Sequence, residues 1–375
     1  MDVTRIYLKN YRNLDEIDLK LSPSLNLFVG SNAQGKTNIL ESIYLLGTGS
    51  SQRTNRDSNL IQWNKDYFFI KANIKKRNRD ITISFGYNGS KKEIKVNGNP
   101  LQKISDLMGF VNVVIFSPED LKLVKGSPRF RRKFLDLDIS QVNPYYFHNL
   151  QKYNQVIKQR NMLLKDIRDK KKKADLLFVW DQQLIDMGSR LIKKRLDVIE
   201  KLDLLAGLVH RRITDGIENL ELEYDCSIDK LNANMSRADI QKLYTEQLEK
   251  EQDHEIRRGV SLYGPHRDDL KLKVNGIDVR EFGSQGQQRT TALSLKIAEL
   301  EFMKSEMGEY PILLLDDVFS ELDTKRKKHL LEVIKDKIQT FITSTDLDIL
   351  DEITGDNFLF NVKEGHVLLH SQGSD

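Results

Sequence analysis

The sequence predicts an α/β fold in which both ends of the chain build one domain, with a mainly helical subdomain inserted between them. Three observations predict it. Near the N-terminus, Leu25, Leu27 and Val29 alternate as a strand does, and Asn38 to Leu46 has the apolar period of a helix. Near the other end, Pro311-Ile312-Leu313-Leu314-Leu315-Asp316-Asp317 is a short apolar run that suits a strand buried in a parallel sheet. Between them no proline occurs from Pro144 to Pro265, and Leu177, Leu184, Leu191, Val198 and Leu205 recur every seven residues with Ile185, Ile192 and Ile199 beside them. That stripe reads as helix.

The elements follow in order. Ile6/Leu8, Ile17/Leu19/Leu21, Ile81/Ile83/Phe85 and Val111/Val113/Ile115 alternate at period two, so the first 125 residues are strand-rich. Asn97-Gly98 after Ile94 and Val96 marks a hairpin. The helical block follows, with Lys170 to Lys173 as a polar tip between helices; it has too few heptads for a long coiled coil. From about residue 260 strands return: Leu270/Leu272/Val274, the turn Asn275-Gly276, then Ile277/Val279. A helix from Gln287 to Met303, the strand Ile312 to Leu315, a helix from Glu321 to Lys337 and a strand at Phe341-Ile342 complete the chain. The expected division is 1–125 with 260–375 as the head and 126–259 as an arm-like helical subdomain.

Composition narrows the class. Hydrophobic residues make up 39% of the 375, enough for a sizeable core, and charged residues 30%, a heavily charged surface. No apolar run approaches the roughly 20 residues that span a bilayer. Met1-Asp2-Val3-Thr4-Arg5 runs directly into a strand, with no signal peptide. The single cysteine, Cys226, excludes an intramolecular disulfide and a cysteine zinc site. These features predict a cytoplasmic protein with no membrane partner. The net charge of +4 is small, but cations cluster at Lys75-Lys76-Arg77, Arg129 to Lys133, Lys170 to Lys173, Lys193-Lys194-Arg195 and Lys325 to Lys328. Each suits a solvated face; several together suit a polyanionic partner.

The loop between the first strand and helix carries chemistry. Gly30-Ser31-Asn32-Ala33-Gln34-Gly35-Lys36-Thr37, followed by Asn38, fits G-x-x-x-x-G-K-[ST] in the context that motif needs. Glycines let the backbone wrap a phosphate, the helix N-terminus offers N–H groups, Lys36 reaches the β/γ-phosphates and Thr37 ligates Mg²⁺. ATP and Mg²⁺ are therefore the expected cofactors. At the end of the apolar strand, Asp316 is the expected metal ligand, directly or through water, and Asp317 the group that polarises the attacking water. Gly283-Ser284-Gln285-Gly286-Gln287-Gln288 opens a helix before that strand, and Ser320-Glu321-Leu322-Asp323 follows the acids. In this order the segments resemble the signature and D-loop of ATP-binding-cassette ATPases, and so imply an ABC-type P-loop ATPase head. In that superfamily the signature of one subunit, here Ser284 to Gln287, faces the γ-phosphate held by the other.

Further stretches carry a closer resemblance: Tyr11-Arg12-Asn13, Phe116 to Leu121, Gly126-Ser127-Pro128, Arg131 to Asp136, Lys158-Gln159-Arg160-Asn161 and Gly264-Pro265-His266-Arg267-Asp268. Over essentially its whole length the chain resembles the RecF family of bacterial recombination mediators. The resemblance implies ATP-dependent homodimers that bind double-stranded DNA and single/double-strand junctions. It implies work with RecR and RecO in loading RecA at gaps, and slow ATP hydrolysis used as a switch. Lys75, Lys76, Arg77, Arg129, Arg131 and Arg132 are the candidate DNA contacts. Two positions depart from the transporter pattern: Gln285 replaces a second signature glycine and Asp317 replaces a catalytic glutamate. Aspartate is one methylene shorter, which fits slow turnover. Glu119 lies where a transporter glutamine loop is sought, and Thr345, in Ser344-Thr345-Asp346, stands near the usual switch histidine. His266 and Arg267 read equally as catalytic groups or as structural partners of a turn, and Tyr145, Tyr146 and Phe147 as core or as base-stacking residues. The ATPase subunit of a membrane transporter is the alternative reading.

Overall fold

The computed structural model describes residues 1–77, 79–335, 337–345 and 357–370. Elements are numbered in chain order. The first of two compact units, Met1–Asp120 with Glu299–Asp375, starts with β1 Asp2–Tyr11, β2 Leu14–Lys20, β3 Leu25–Val29, α1 Lys36–Thr48, β4 Phe68–Lys76, β5 Arg79–Tyr87, β6 Lys92–Val96, β7 Asn99–Pro100 and β8 Val113–Phe116. The second unit, Leu121–Ala298, holds α2 Leu121–Lys125, α3 Pro128–Val142, α4 Pro144–Arg168, α5 Leu177–Ile213, β9 Leu220–Asp225, α6 Arg237–Arg258, β10 Asp269–Val274, β11 Ile277–Asp278 and α7 Val279–Phe282. Helix α8 Gln285–Met307 begins in the second unit and ends in the first. β12 Ile312–Asp316, α9 Thr324–Ile334, β13 Thr340–Ser344, β14 Asn357–Lys363 and β15 His366–Leu369 complete the first unit.

The first unit has two six-stranded sheets. One is antiparallel, in the order β2-β1-β4-β5-β6-β7; the other runs β15-β14-β3-β13-β12-β8. From β14 to β8 the second sheet is parallel, and only β15 pairs antiparallel. Its interior strands β12 and β13 are buried on both faces, as a parallel sheet demands, β12 as the apolar run Ile312 to Leu315 and β13 with Phe341-Ile342 between buried threonines. Gln339, just before β13, is buried and ties chain segments far apart: its Oε1 accepts from Val3 N at 2.7 Å while Nε2 donates to the carbonyls of Val3 and Ser22.

The second unit carries the helical stripe. α5 is 37 residues long and buries Leu177, Leu184, Leu191 and Val198. Beside the helices lies an antiparallel sheet, β11-β10-β9. Residues 260–298, expected in the head, fall in this unit, because all six residues of β10 pair with β9. Both Asn-Gly hairpins form as expected. Asn97, Gly98, Asn275 and Gly276 all take positive φ, which the tightest hairpin turns require. The helix expected over Glu321–Lys337 begins three residues late. Asp323 caps it by accepting from Arg326 N, and a single 3₁₀ turn, Val318–Glu321, precedes it. Among the described residues no helix is long and apolar enough to cross a membrane.

Candidate nucleotide site

β3 delivers the chain to Gly30, which lies against β14: a Cβ there would sit 2.2 Å from the Val362 carbonyl oxygen. Gly35 closes the loop at φ 120, a backbone only glycine adopts comfortably, with Asn13 and Leu14 within 2.9 Å of where a Cβ would be. The loop is tied from outside as well. Glu364 N donates to Gln34 Oε1 at 2.5 Å and Gly365 N to the Gln34 carbonyl at 3.1 Å. Asn38 Nδ2 donates to Asn13 Oδ1 at 2.7 Å, and Arg53 donates to Asn38 Oδ1 at 2.8 Å. Ser31, Asn32 and Ala33 are exposed at the rim.

Lys36 is buried, and its ammonium donates to the carbonyls of Gly30 at 2.6 Å and Ser31 at 2.9 Å. Burial lowers its pKa, opposed by the charges of Asp317 and Asp316. The loop and the acid pair therefore share one electrostatic neighbourhood. Thr37 Oγ1 donates to Asp316 Oδ1 at 2.8 Å across 279 residues of sequence. Thr343, on β13, donates to the same oxygen at 2.9 Å and accepts from Asp317 N at 2.9 Å. Asp317 has φ 55, in the left-handed region, and Ser320 Oγ donates to its carbonyl at 2.7 Å. Asp323 is spent on the cap of α9, its Oδ1 accepting from Arg326 N at 2.9 Å and its Oδ2 from the Arg326 guanidinium at 2.5 Å.

These donors suit a hard cation. Thr37 spends its proton on Asp316, leaving its hydroxyl lone pairs available, and every candidate ligand is oxygen. Among the described residues no group of three or more His, Cys, Asp or Glu side chains could cage a metal. Mg²⁺ fits that pattern, since it is commonly held by one or two protein oxygens together with substrate phosphates.

Sequence reasoning missed three groups here. Arg12, at φ 57, places its guanidinium on both oxygens of buried Glu41, at 2.9 and 2.7 Å, and on the Asn59 carbonyl. Ser51 Oγ donates to the same carboxylate at 2.6 Å, which braces α1 from behind. Thr343 is the second omission. The third, in the other unit, is the set of partners Glu218, His210 and Ser294 behind the expected signature at the start of α8. There Ser284, Gln285 and Gly286 are exposed. Ser284 N donates to Gln287 Oε1 at 2.9 Å, and Gln287 N to Ser284 Oγ at 3.1 Å, a reciprocal capping box. Gln287 Nε2 goes on to Glu218 Oε1 at 2.9 Å, whose other oxygen meets His210 Nε2 at 3.1 Å, and His210 Nδ1 reaches Ser294 Oγ at 3.0 Å. Burial pulls the His210 pKa down against the opposing pull of Glu218. The S-x-x-Q spacing was the one sequence signal for this arrangement.

The six candidate DNA contacts separate by environment. Lys75 and Arg129 are exposed. Lys76 donates to the Gly109 carbonyl and faces Glu309, and Arg77 donates to the Gly308 carbonyl. Arg131 is buried, with both arms on Asp269 at 2.7 Å, and Arg132 donates to the Asp268 carbonyl at 2.7 Å. His266 and Arg267 resolve towards structure. The His266 ring lies between Tyr153 Oη at 2.8 Å and the Ser261 carbonyl at 3.2 Å, and Arg267 donates twice to that carbonyl. Burial pushes His266 down to about 4. Arg160, from the Lys158–Asn161 stretch, pairs with Asp181 and buried Glu255, both at 2.6 Å. Tyr146 is buried against Asp136, whereas Tyr145 is exposed. Glu119 and Thr345 are exposed, and Asp346 lies outside the described residues.

Comparison with known proteins places this architecture. The family described as RecF/RecN/SMC N terminal domain matches residues 2–366. A protein of Halothermothrix orenii named DNA replication and repair protein RecF is 52% identical over 97% of this chain and 98% of its own length. One of the same name from Alkaliphilus oremlandii is 47% identical over 98% of this chain and 100% of its own length. A solved structure described as the recombination mediator protein RecF-ATP in the RecFOR pathway superposes with a TM-score of 0.91 at 38% identity, covering 99% of this chain and 98% of the other.

Proposed function

The chain belongs to the RecF family, within the wider RecF/RecN/SMC N-terminal domain family, and on that footing we infer that it is an ATP-switched DNA-binding protein of replication and repair. One observation carries the reading. The phosphate-loop lysine and threonine meet the acid pair at the C-terminal end of the parallel sheet, where α/β sheets bind ligands. Lys36 and the loop N–H groups hold the triphosphate of ATP. Thr37 and Asp316 hold Mg²⁺, and Asp317 orients the attacking water. Mg²⁺ held by Thr37 and Asp316 would supply neutralisation of the charge developing on the transferred phosphoryl group. The exposed start of α8, Ser284 to Gln287, meets the γ-phosphate bound by a second copy, so ATP drives homodimerisation and slow hydrolysis reverses it.

Double-stranded DNA, including single/double-strand junctions, is the ligand of the dimer, held by lysine and arginine contacts to phosphate. RecR and RecO act with it in loading RecA at gaps. The similar solved structure is of a recombination mediator protein in the RecFOR pathway, and the DNA replication and repair relatives weigh for this reading over a transporter subunit. The test is duplex DNA binding with and without ATP across a salt series. The expected result is ATP-dependent binding that weakens steeply with salt and is lost in Lys36→Ala. Binding that ignores both ATP and salt would overturn it.

A further inference from the structure

Thr343 stands on β13 directly beside Asp316 of β12, where the two strands pair in register. It is buried and lies within hydrogen-bonding reach of both members of the acid pair. Its Oγ1 donates to Asp316 Oδ1 at 2.9 Å and accepts from the Asp317 amide at 2.9 Å. A hydroxyl has one proton and two lone pairs, so both bonds form at once. The consequences for the two carboxylates differ. On Asp316, Thr343 joins Thr37, whose Oγ1 donates to the same Oδ1 at 2.8 Å. Two fixed hydroxyls on one oxygen set the rotation of that carboxylate. On Asp317 the effect runs through the backbone. Asp317 adopts φ 55 and ψ 26, a left-handed conformation that residues with a side chain seldom take. The Thr343 oxygen pins the amide end of that residue and Ser320 Oγ pins its carbonyl end. The direction of the Asp317 side chain follows from that turn.

We propose that Thr343 is the positioning residue of the acid pair, setting the metal-side carboxylate of Asp316 and the water-side carboxylate of Asp317 from a single oxygen atom. In this role Thr343 acts through the two aspartates it bonds. The proposal rests on the reading of those acids as ATPase groups. A plain packing role for Thr343 is the competing account, since β-branched residues fill buried strand positions well.

Two substitutions separate these accounts because they remove different halves of the side chain. Thr343→Val keeps the shape and loses the hydroxyl. Thr343→Ser keeps the hydroxyl and loses the methyl. In Thr343→Val, the expected result is a fall in kcat of about tenfold to a hundredfold, the range of a lost hydrogen bond to a charged group. ATP affinity measured without Mg²⁺ stays near wild type. The Mg²⁺ concentration that half-saturates ATP binding, followed by a fluorescent ATP analogue, rises severalfold. Thr343→Ser keeps wild-type values of all three. Thermal melts accompany each variant. Packing alone predicts the reverse order, with Ser damaged and Val intact, and that order overturns the proposal; so does a Val variant with wild-type kcat and Mg²⁺ midpoint. If Thr343→Val does not fold, Thr343→Ser still decides. A folded Ser variant with wild-type kcat and Mg²⁺ midpoint supports the proposal, and one with a shifted Mg²⁺ midpoint overturns it. Failure of the underlying ATPase reading shows separately, as wild-type protein that neither binds ATP with Mg²⁺ nor differs from Lys36→Ala.

Discussion

Lys36 is buried and His266 half-buried, and the protein uses the two bases in opposite ways. The Lys36 ammonium keeps two carbonyl partners and feels two carboxylates. A triphosphate arriving there meets a cation already desolvated and aimed. Lys36→Ala is expected to cost about 2–3 kcal/mol of ATP affinity, the scale of charged hydrogen bonds, as read by titration calorimetry. Unchanged affinity would sink the phosphate-loop assignment. His266 is instead held neutral, pushed down to about 4 chiefly by burial, with the bond to the Ser261 carbonyl opposing the shift and the charge of Arg267 adding to it. Its unfolded value is about 6.5, so between those values the unfolded chain binds the extra proton. The stabilising effect is complete above about pH 6.5 and is lost as pH falls towards 4, to the extent of about 3 kcal/mol. Urea unfolding at pH 7 and pH 4.5 should show a larger drop for wild type than for His266→Gln. Equal drops would place the acid sensitivity elsewhere.

Helix α8 shows what a sequence discloses about an element and what it withholds. Its S-x-x-Q start has the spacing of a capping box, and the capping box is there. Nothing local announces that Gln287 continues to Glu218, 69 residues away, or that Glu218 is held by His210 near the end of α5. Those partners meet only when α5 and the first half of α8 fold together within the second unit. Glu218→Ala leaves Gln287 Nε2 without its acceptor and buried His210 without its carboxylate, and is expected to cost about 1–3 kcal/mol in urea melts. A melt identical to wild type would show that the chain of contacts carries no load. The same limit explains the other omissions. The phosphate loop is contiguous and legible; Thr343 joins Asp316 across 27 residues and Thr37 joins it across 279. Alternation revealed the strands, but the placement of 260–298 depended on β10 finding β9. A run such as Arg129 to Lys133 shows charge without showing where it is spent, and Arg131 spends its own on Asp269.

At the scale of the whole molecule, the proposed function turns on whether two copies share each ATP. The start of α8 is exposed, so Ser284 Oγ, which accepts one bond from Gln287 N, remains open to a partner from outside the chain. If Ser284 is only a cap, Ser284→Arg loses about 1 kcal/mol of stability and leaves self-association untouched. If it meets a γ-phosphate held by a second copy, the bulky cation blocks closure. ATP then still binds each monomer through Gly30 to Thr37. ATP-induced dimerisation and hydrolysis both fail, and DNA binding that needs the dimer weakens with them. Asp317→Asn is the companion variant: it keeps Thr37, Asp316 and the nucleotide, so it should dimerise with ATP yet hydrolyse it at least tenfold more slowly. Light scattering with and without a non-hydrolysable ATP analogue distinguishes the two variants. The expected outcome is a monomeric Ser284→Arg protein and a dimeric Asp317→Asn protein under the same conditions. A folded Ser284→Arg protein that dimerises like wild type would leave the cap as the only role of Ser284 and remove the shared site, because a side chain of that bulk has to be displaced from a serine-sized contact before two heads can close there.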